Sequence, residues 1–218
     1  MEAKAQMTRR DDSSPMGAAV GGVLSIIFRG GFAEGDRVTE EFLARELKMS
    51  RTPIREALVE LKGLGMLELR KNRGAVVAPL TEQKIREIFE VRRIMEVEAT
   101  RKCVGLIDQG AVAKLREETV VLLEEWGEDK GWGLDGRIHD CIADSCGNRR
   151  LCNEIGRYAL LMHAVRNAVG LRLPVQRITV EQHLVILSEI ADGSANAAAS
   201  AMDRHVRQAE ESAVVALA

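Results

Sequence analysis

The chain's 218 residues carry 31 Lys and Arg against 33 Asp and Glu, a formal net charge of −2, and 46% of them are hydrophobic. This fits a folded chain with one or two cores and excludes wholesale disorder. The near-neutral balance excludes a uniformly basic coat, and an aromatic content of 3% argues against a stacking platform for single-stranded nucleic acid.

Arg9 and Arg10 precede an uncharged run from Met16 to Phe28, which superficially resembles a secretory leader. Asp11 and Asp12 spoil its positive flank, and the run is too short to span a bilayer. The pattern instead predicts a mobile tail over residues 1–14 and then a helix. Ser14 is its N-cap, Pro15 sits in the first turn, and Val20, Leu24, Ile27 and Phe28 share one face up to Gly30 and Gly31. The four cysteines, Cys103, Cys141, Cys146 and Cys152, form no C-x-x-C pair. A zinc knuckle and a thioredoxin motif are therefore excluded, and a reduced, cytoplasmic chain is expected.

A second helix is predicted over Thr39 to Leu47, with Phe42, Leu43 and Leu47 as its apolar stripe. The turn Lys48-Met49-Ser50 leads to a third helix that Ser50 can cap, with Pro53 tolerated in the first turn. There Ile54, Ala57, Leu58, Leu61 and Leu64 face inward, leaving Arg51, Thr52 and Arg55 at the outer N-terminal end. That is where a helix lying in the major groove presents side chains to bases and phosphates. Met66 to Leu69 and Ala75 to Ala78 read as extended runs around Lys71-Asn72-Arg73-Gly74, a wing with Arg73 and Gly74 at its tip. Residues 45–73 hold eight basic side chains against four acidic ones, the footprint that phosphate contacts need. A solvated basic face is the plainer alternative.

Beyond Pro79 the texture changes. Leu80 to Leu173 contains no proline and shows helical periodicity, with breaks near Gly105–Gly110, Gly127–Gly136 and Gly147. Two further helices are expected after Pro174, divided at Gly193. The domains are therefore placed at 15–79 and 80–218.

Of the four histidines, His139, His183 and His205 each fall on an apolar helical stripe, and Asp135 lies one turn before His139. Unpaired ionisable groups are costly inside a helical bundle, and convergence on a divalent metal would satisfy all four. Three His and one Asp suit Zn²⁺, with Ni²⁺ or Mn²⁺ as alternatives, and leave positions open for water or a ligand oxygen. The alternative is that each histidine hydrogen-bonds separately in the core. Arg92 shares the inward stripe of Ile85, Ile88, Phe89, Met95 and Ala99, so its guanidinium requires an anion. Glu96, Asp135 and the carboxylate of a small effector are the candidates.

Two resemblances follow. The run Leu47-Lys-Met-Ser-Arg-Thr-Pro-Ile-Arg-Glu-Ala-Leu58, with Gly65-Met-Leu67 and Asn72-Arg-Gly-Ala-Val-Val-Ala-Pro79, resembles the winged helix-turn-helix of GntR-type bacterial transcription regulators. It implies DNA contacts from Ser50, Arg51, Thr52, Pro53 and Arg55 on the recognition helix and from Arg73 and Gly74 on the wing. The pattern Leu134-Asp-x-x-x-His139, Gly147-Asn148-x-x-Leu151, Glu181-x-His183-x-x-Ile186 and Met202-x-x-His205 resembles the FCD domain of the FadR-like branch. That likeness implies a metal held by Asp135, His139, His183 and His205, and an effector cavity near Arg92. The domain's length is similar to that of the six-helix VanR-type subgroup. His163 matches no ligand position and reads as a core or cavity-lining residue.

The expected fold is thus mainly α, a winged helix-turn-helix followed by an all-α bundle of about six helices. The expected function is a homodimeric, operator-binding regulator, a repressor controlled by a small carboxylate at the metal site, with no membrane partner. Three rival readings are a sensor of the metal itself, a metal-dependent hydrolase or lyase, and a metal-stabilised dimerisation module. No Glu or His stands out as a general base beside the ligands, so no enzyme is expected. Cys141, Cys146 and Cys152 lie near the histidine-bearing helix, where packing is the commoner role than redox sensing.

Overall fold

The computed structural model describes residues 14–126, 131–169 and 173–217, and their side chains other than those of 131, 132, 163–169, 173–175, 216 and 217. The predicted tail up to residue 13 and the side chain of His163 lie outside the described residues. The chain forms two compact units: residues up to Leu80 together with Gly156–Ala168, and Thr81–Ile155 together with the residues from Val169 onward.

In the first unit, α1 spans Pro15–Phe28, and Ser14 Oγ accepts a hydrogen bond from Gly17 N at 3.0 Å. Ala19, Val20, Val23 and Leu24 are its buried face, whereas Ile27 and Phe28 are only half-buried. The face is rotated toward the small residues because the helix packs closely: a Cβ at Gly22 would come within 2.8 Å of Leu47 Cδ2. Helix α2, Glu40–Glu46, is capped by Thr39, and α3 spans Arg51–Gly63. Lys48 in the turn between them takes a φ of 53°, letting Met49 N reach Ala44 O at 3.0 Å. Ile54, Ala57, Leu61 and Leu64 are buried, and Leu58 is half-buried. Strands β1, Leu67–Arg70, and β2, Gly74–Val77, pair antiparallel with Arg70 opposite Gly74. Positive φ at Asn72 (66°) and Gly74 (76°) turns the hairpin. Residues 35–38 run beside β2 through one isolated bridge, Arg37 to Val76, with Gly35 N to Val77 O at 2.9 Å and Val38 N to Ala75 O at 2.9 Å. No apolar alternation in the sequence marks that bridge.

The second unit contains α4 (Glu82–Cys103), α5 (Gln109–Glu124), α6 (Gly131–Ser145), α8 (Leu173–Ala191), α9 (Ala195–Leu217) and the first turns of α7 (Arg149–Val169). Asn148 Oδ1 caps α7 through Arg150 N and Leu151 N, both at 3.1 Å, after Gly147 turns the chain at a φ of 68°. Helix α4 packs on α9 and α6, and α8 packs on α5, α6 and α9. Arg93 to Asp203 at 2.7 Å and Arg86 to Glu210 at 3.0 Å fasten α4 to α9 along the outside. The expected break over Gly127–Gly136 is shorter than read, because α6 already starts at Gly131 and takes in Gly133 and Gly136. Burial of Leu134, Ile138, Ile142 and Ala143 outweighs the backbone entropy those glycines cost. Among the described residues no helix is long and apolar enough to cross a membrane.

Candidate metal centre

Four side chains from three helices meet inside the second unit. Asp135 and His139 come from α6, His183 from α8 and His205 from α9, and all four are buried. One ligand atom from each lies within 4.8 Å of the others. The three imidazoles turn the same edge inward: His139 Nε2 is 3.2 Å from His205 Nε2 and 3.2 Å from His183 Nε2. Asp135 Oδ1 stands 3.6 Å from His183 Nε2 and 3.9 Å from His139 Nε2.

The donor chemistry tests whether a metal fits. His139 Nδ1 lies 2.9 Å from Glu96 Oε2, and His205 Nδ1 lies 3.1 Å from Gln182 Oε1. Carboxylate and amide oxygens accept, so each Nδ1 donates, and a ring whose single proton sits there presents an Nε2 lone pair. Lone pairs facing each other at 3.2 Å repel unless a cation lies between them. Two nitrogens, each about 2.0–2.1 Å from a tetrahedral Zn²⁺, stand about 3.3 Å apart, so the spacing suits an ion of that size.

Glu96 is itself buried on α4 and forked by Arg92, with Nε to Oε1 at 2.7 Å and Nη2 to Oε2 at 3.3 Å. Burial pushes the Glu96 carboxyl upward, but the adjacent Arg92 charge and His139 hold it well below the ordinary glutamate range. Glu96, one of the anions considered for Arg92, engages it here. Sequence spacing places Glu96 one turn after Arg92, but it does not reveal that His139 reaches it from another helix. Gln182 carried no signal beyond its place beside His183.

The predicted DNA-contacting residues sit in the first unit. Arg51, Thr52 and Arg55 are exposed at the start of α3, Pro53 is half-buried, and Ser50 stands at the N-cap without a side-chain capping bond. Arg55 is forked by Glu40 on α2, with Nε and Nη2 each 2.9 Å from a carboxylate oxygen. That hydrogen-bonded ion pair lowers the Glu40 carboxyl below its ordinary value. Arg73 and Gly74 are exposed at the wing tip.

The cysteines are protonated packing groups where their shifts are resolved. Burial pushes the Cys103 thiol up to about 12. Burial together with the Asp144 carboxylate does the same to Cys152.

Residues 23–77 match the family described as bacterial regulatory proteins, gntR family, and residues 87–208 match the FCD domain. The Nta operon transcriptional regulator of Aminobacter aminovorans is 31% identical over 183 residues, covering 81% of this chain and 84% of the relative. The HTH-type transcriptional repressor RspR of Escherichia coli K12 is 22% identical, covering 83% and 80%. Among solved structures, McbR/YncC of E. coli superposes with a TM-score of 0.67 at 18% identity, covering 90% of this chain and 95% of that one.

Proposed function

The chain belongs to the GntR family of transcriptional regulators and carries an FCD domain, and from that premise we propose an operator-binding repressor controlled through the Asp135–His139–His183–His205 centre. The matched families and relatives are regulators and not enzymes, which sets the hydrolase or lyase reading aside.

The observation that carries the DNA reading is the exposed head of α3. Arg51, Thr52 and Arg55 face solvent there, while Ile54, Ala57 and Leu61 anchor the helix beneath. Ser50, Arg51, Thr52, Pro53 and Arg55 are the proposed contacts in the major groove, and Arg73 and Gly74 the contacts from the wing, in a module that ends near Pro79. One short helix reads few base pairs, so a homodimer on a two-fold operator is the proposed assembly. The repressor role takes support from the name of RspR.

The metal we propose is Zn²⁺, with Ni²⁺ or Mn²⁺ as alternatives, held by Asp135, His139, His183 and His205. With four protein ligands in place, a divalent ion there would take an oxygen ligand such as a small carboxylate by expanding to five or six coordination. Arg92 stands on the same network as the second anchor for that anion, in competition with Glu96. Effector binding biases the bundle between two arrangements and so changes the spacing of the paired DNA heads. The engagement of Arg92 by Glu96 favours one second reading, in which the ion itself is the effector.

Selection of duplexes from a random library, followed by anisotropy titration, tests this reading. A palindromic sequence should emerge, and its affinity should fall steeply with salt. A small carboxylate should release the protein from DNA in zinc-containing buffer. Affinity that follows free zinc with no organic acid present would select the metal sensor, and duplexes without sequence preference would overturn the operator reading.

A further inference from the structure

Resting on the metal reading above, we propose that Glu96 and Gln182 are positioning residues that fix the tautomers of His139 and His205, with Arg92 securing Glu96. Both are held from behind, on the ring edge that faces away from the cluster. Glu96 approaches His139 Nδ1 from α4, and Gln182 on α8 approaches His205 Nδ1 across to α9. An imidazole that donates through Nδ1 keeps its Nε2 lone pair for a metal, and its ring cannot rotate without breaking that bond. Two of the three histidine ligands thus receive their orientation from helices other than their own, α4 and α8.

Glu96 could serve this role only if its own charge is stabilised in the core. Arg92, one turn earlier on α4, does so with two hydrogen bonds, and both residues are buried. The order is therefore Arg92 to Glu96 to His139 to the centre. An anion that captures Arg92 draws it away from Glu96 and so loosens His139. Carboxylate and metal binding are then coupled through one residue, and each must alter the other's affinity by the same factor.

The test is zinc titration of the full-length protein, stripped of metal, against a chromogenic chelator. Wild type is compared with Glu96→Gln and Gln182→Leu, and folding is followed by circular dichroism. Each variant should bind zinc about 10–100-fold more weakly while remaining helical. Glu96→Gln leaves Arg92 buried beside a neutral group and can cost the fold, so Gln182→Leu, at a half-buried position, carries the decision in that event. Imidazole ¹⁵N spectra of the wild type provide the second readout, with Nδ1–H tautomers expected for His139 and His205. Unaltered zinc affinity in the folded variants, or Nε2–H tautomers, would overturn the positioning role alone. A wild type that binds no zinc would overturn it together with the metal reading.

Discussion

In the proposed operator contact, Ser50 and Arg55 leave the head of α3 open to a partner. The Ser50 hydroxyl makes no capping bond, although its backbone is extended as an N-cap requires. Arg55 is held flat by Glu40, in an exposed pair whose opening costs little, so phosphate or guanine can compete for it. Arg51 is exposed in the first turn of α3 and is the side chain proposed to reach a base edge. Arg51→Ala should cost about 1–3 kcal/mol on the selected operator and much less on unrelated duplexes, if the guanidinium reads a guanine. An equal loss on every sequence in the same anisotropy assay would make it a phosphate contact. At this scale the sequence was informative wherever helical spacing sufficed: Asp135, His139, His183 and His205 could be named from their stripes. Glu96 and Gln182 could not, because spacing tells which face a residue occupies and not what another helix brings to that face.

Helix α6 is where local and tertiary preferences compete most openly. Its first turns contain Gly131, Gly133 and Gly136, which read as a break, yet the helix forms because its buried face carries Leu134, Ile138, Ile142 and Ala143. Gly133 is exposed, and a Cβ added there meets nothing within 4 Å. Gly133→Ala should therefore raise stability by about 0.5–1 kcal/mol through lost backbone freedom in the unfolded chain. Urea unfolding checks this, and a lower midpoint would mean that the helix start relies on glycine. The other elements followed their punctuation more closely. Ser14, Thr39 and Asn148 cap the helices they precede, and Gly193 turns α8 into α9 at a φ of 73°. The bridge of residues 35–38 to β2 went unread because it is made by backbone groups alone, which leave no apolar alternation behind.

Across the whole molecule, the chain divides its charges by task. Residues 1–78 hold 13 Lys and Arg against 11 Asp and Glu, while the remainder holds 18 against 22. The modest net charge thus conceals a basic stretch at the recognition helix and wing, and the salt dependence of operator binding should reflect that stretch. The second unit pairs several of its acidic residues within itself, with Glu96 beside His139 in the core and Asp203 on Arg93 and Glu210 on Arg86 along the outside. Its cluster of three histidines and an aspartate is the feature on which control of DNA binding depends in this account. The most direct measurement is the metal content of the purified full-length protein, wild type beside His183→Ala. The account predicts about one divalent ion per chain in the wild type and its loss in the variant. Metal in neither protein would contradict it, leaving a DNA-binding regulator whose histidines serve only the core.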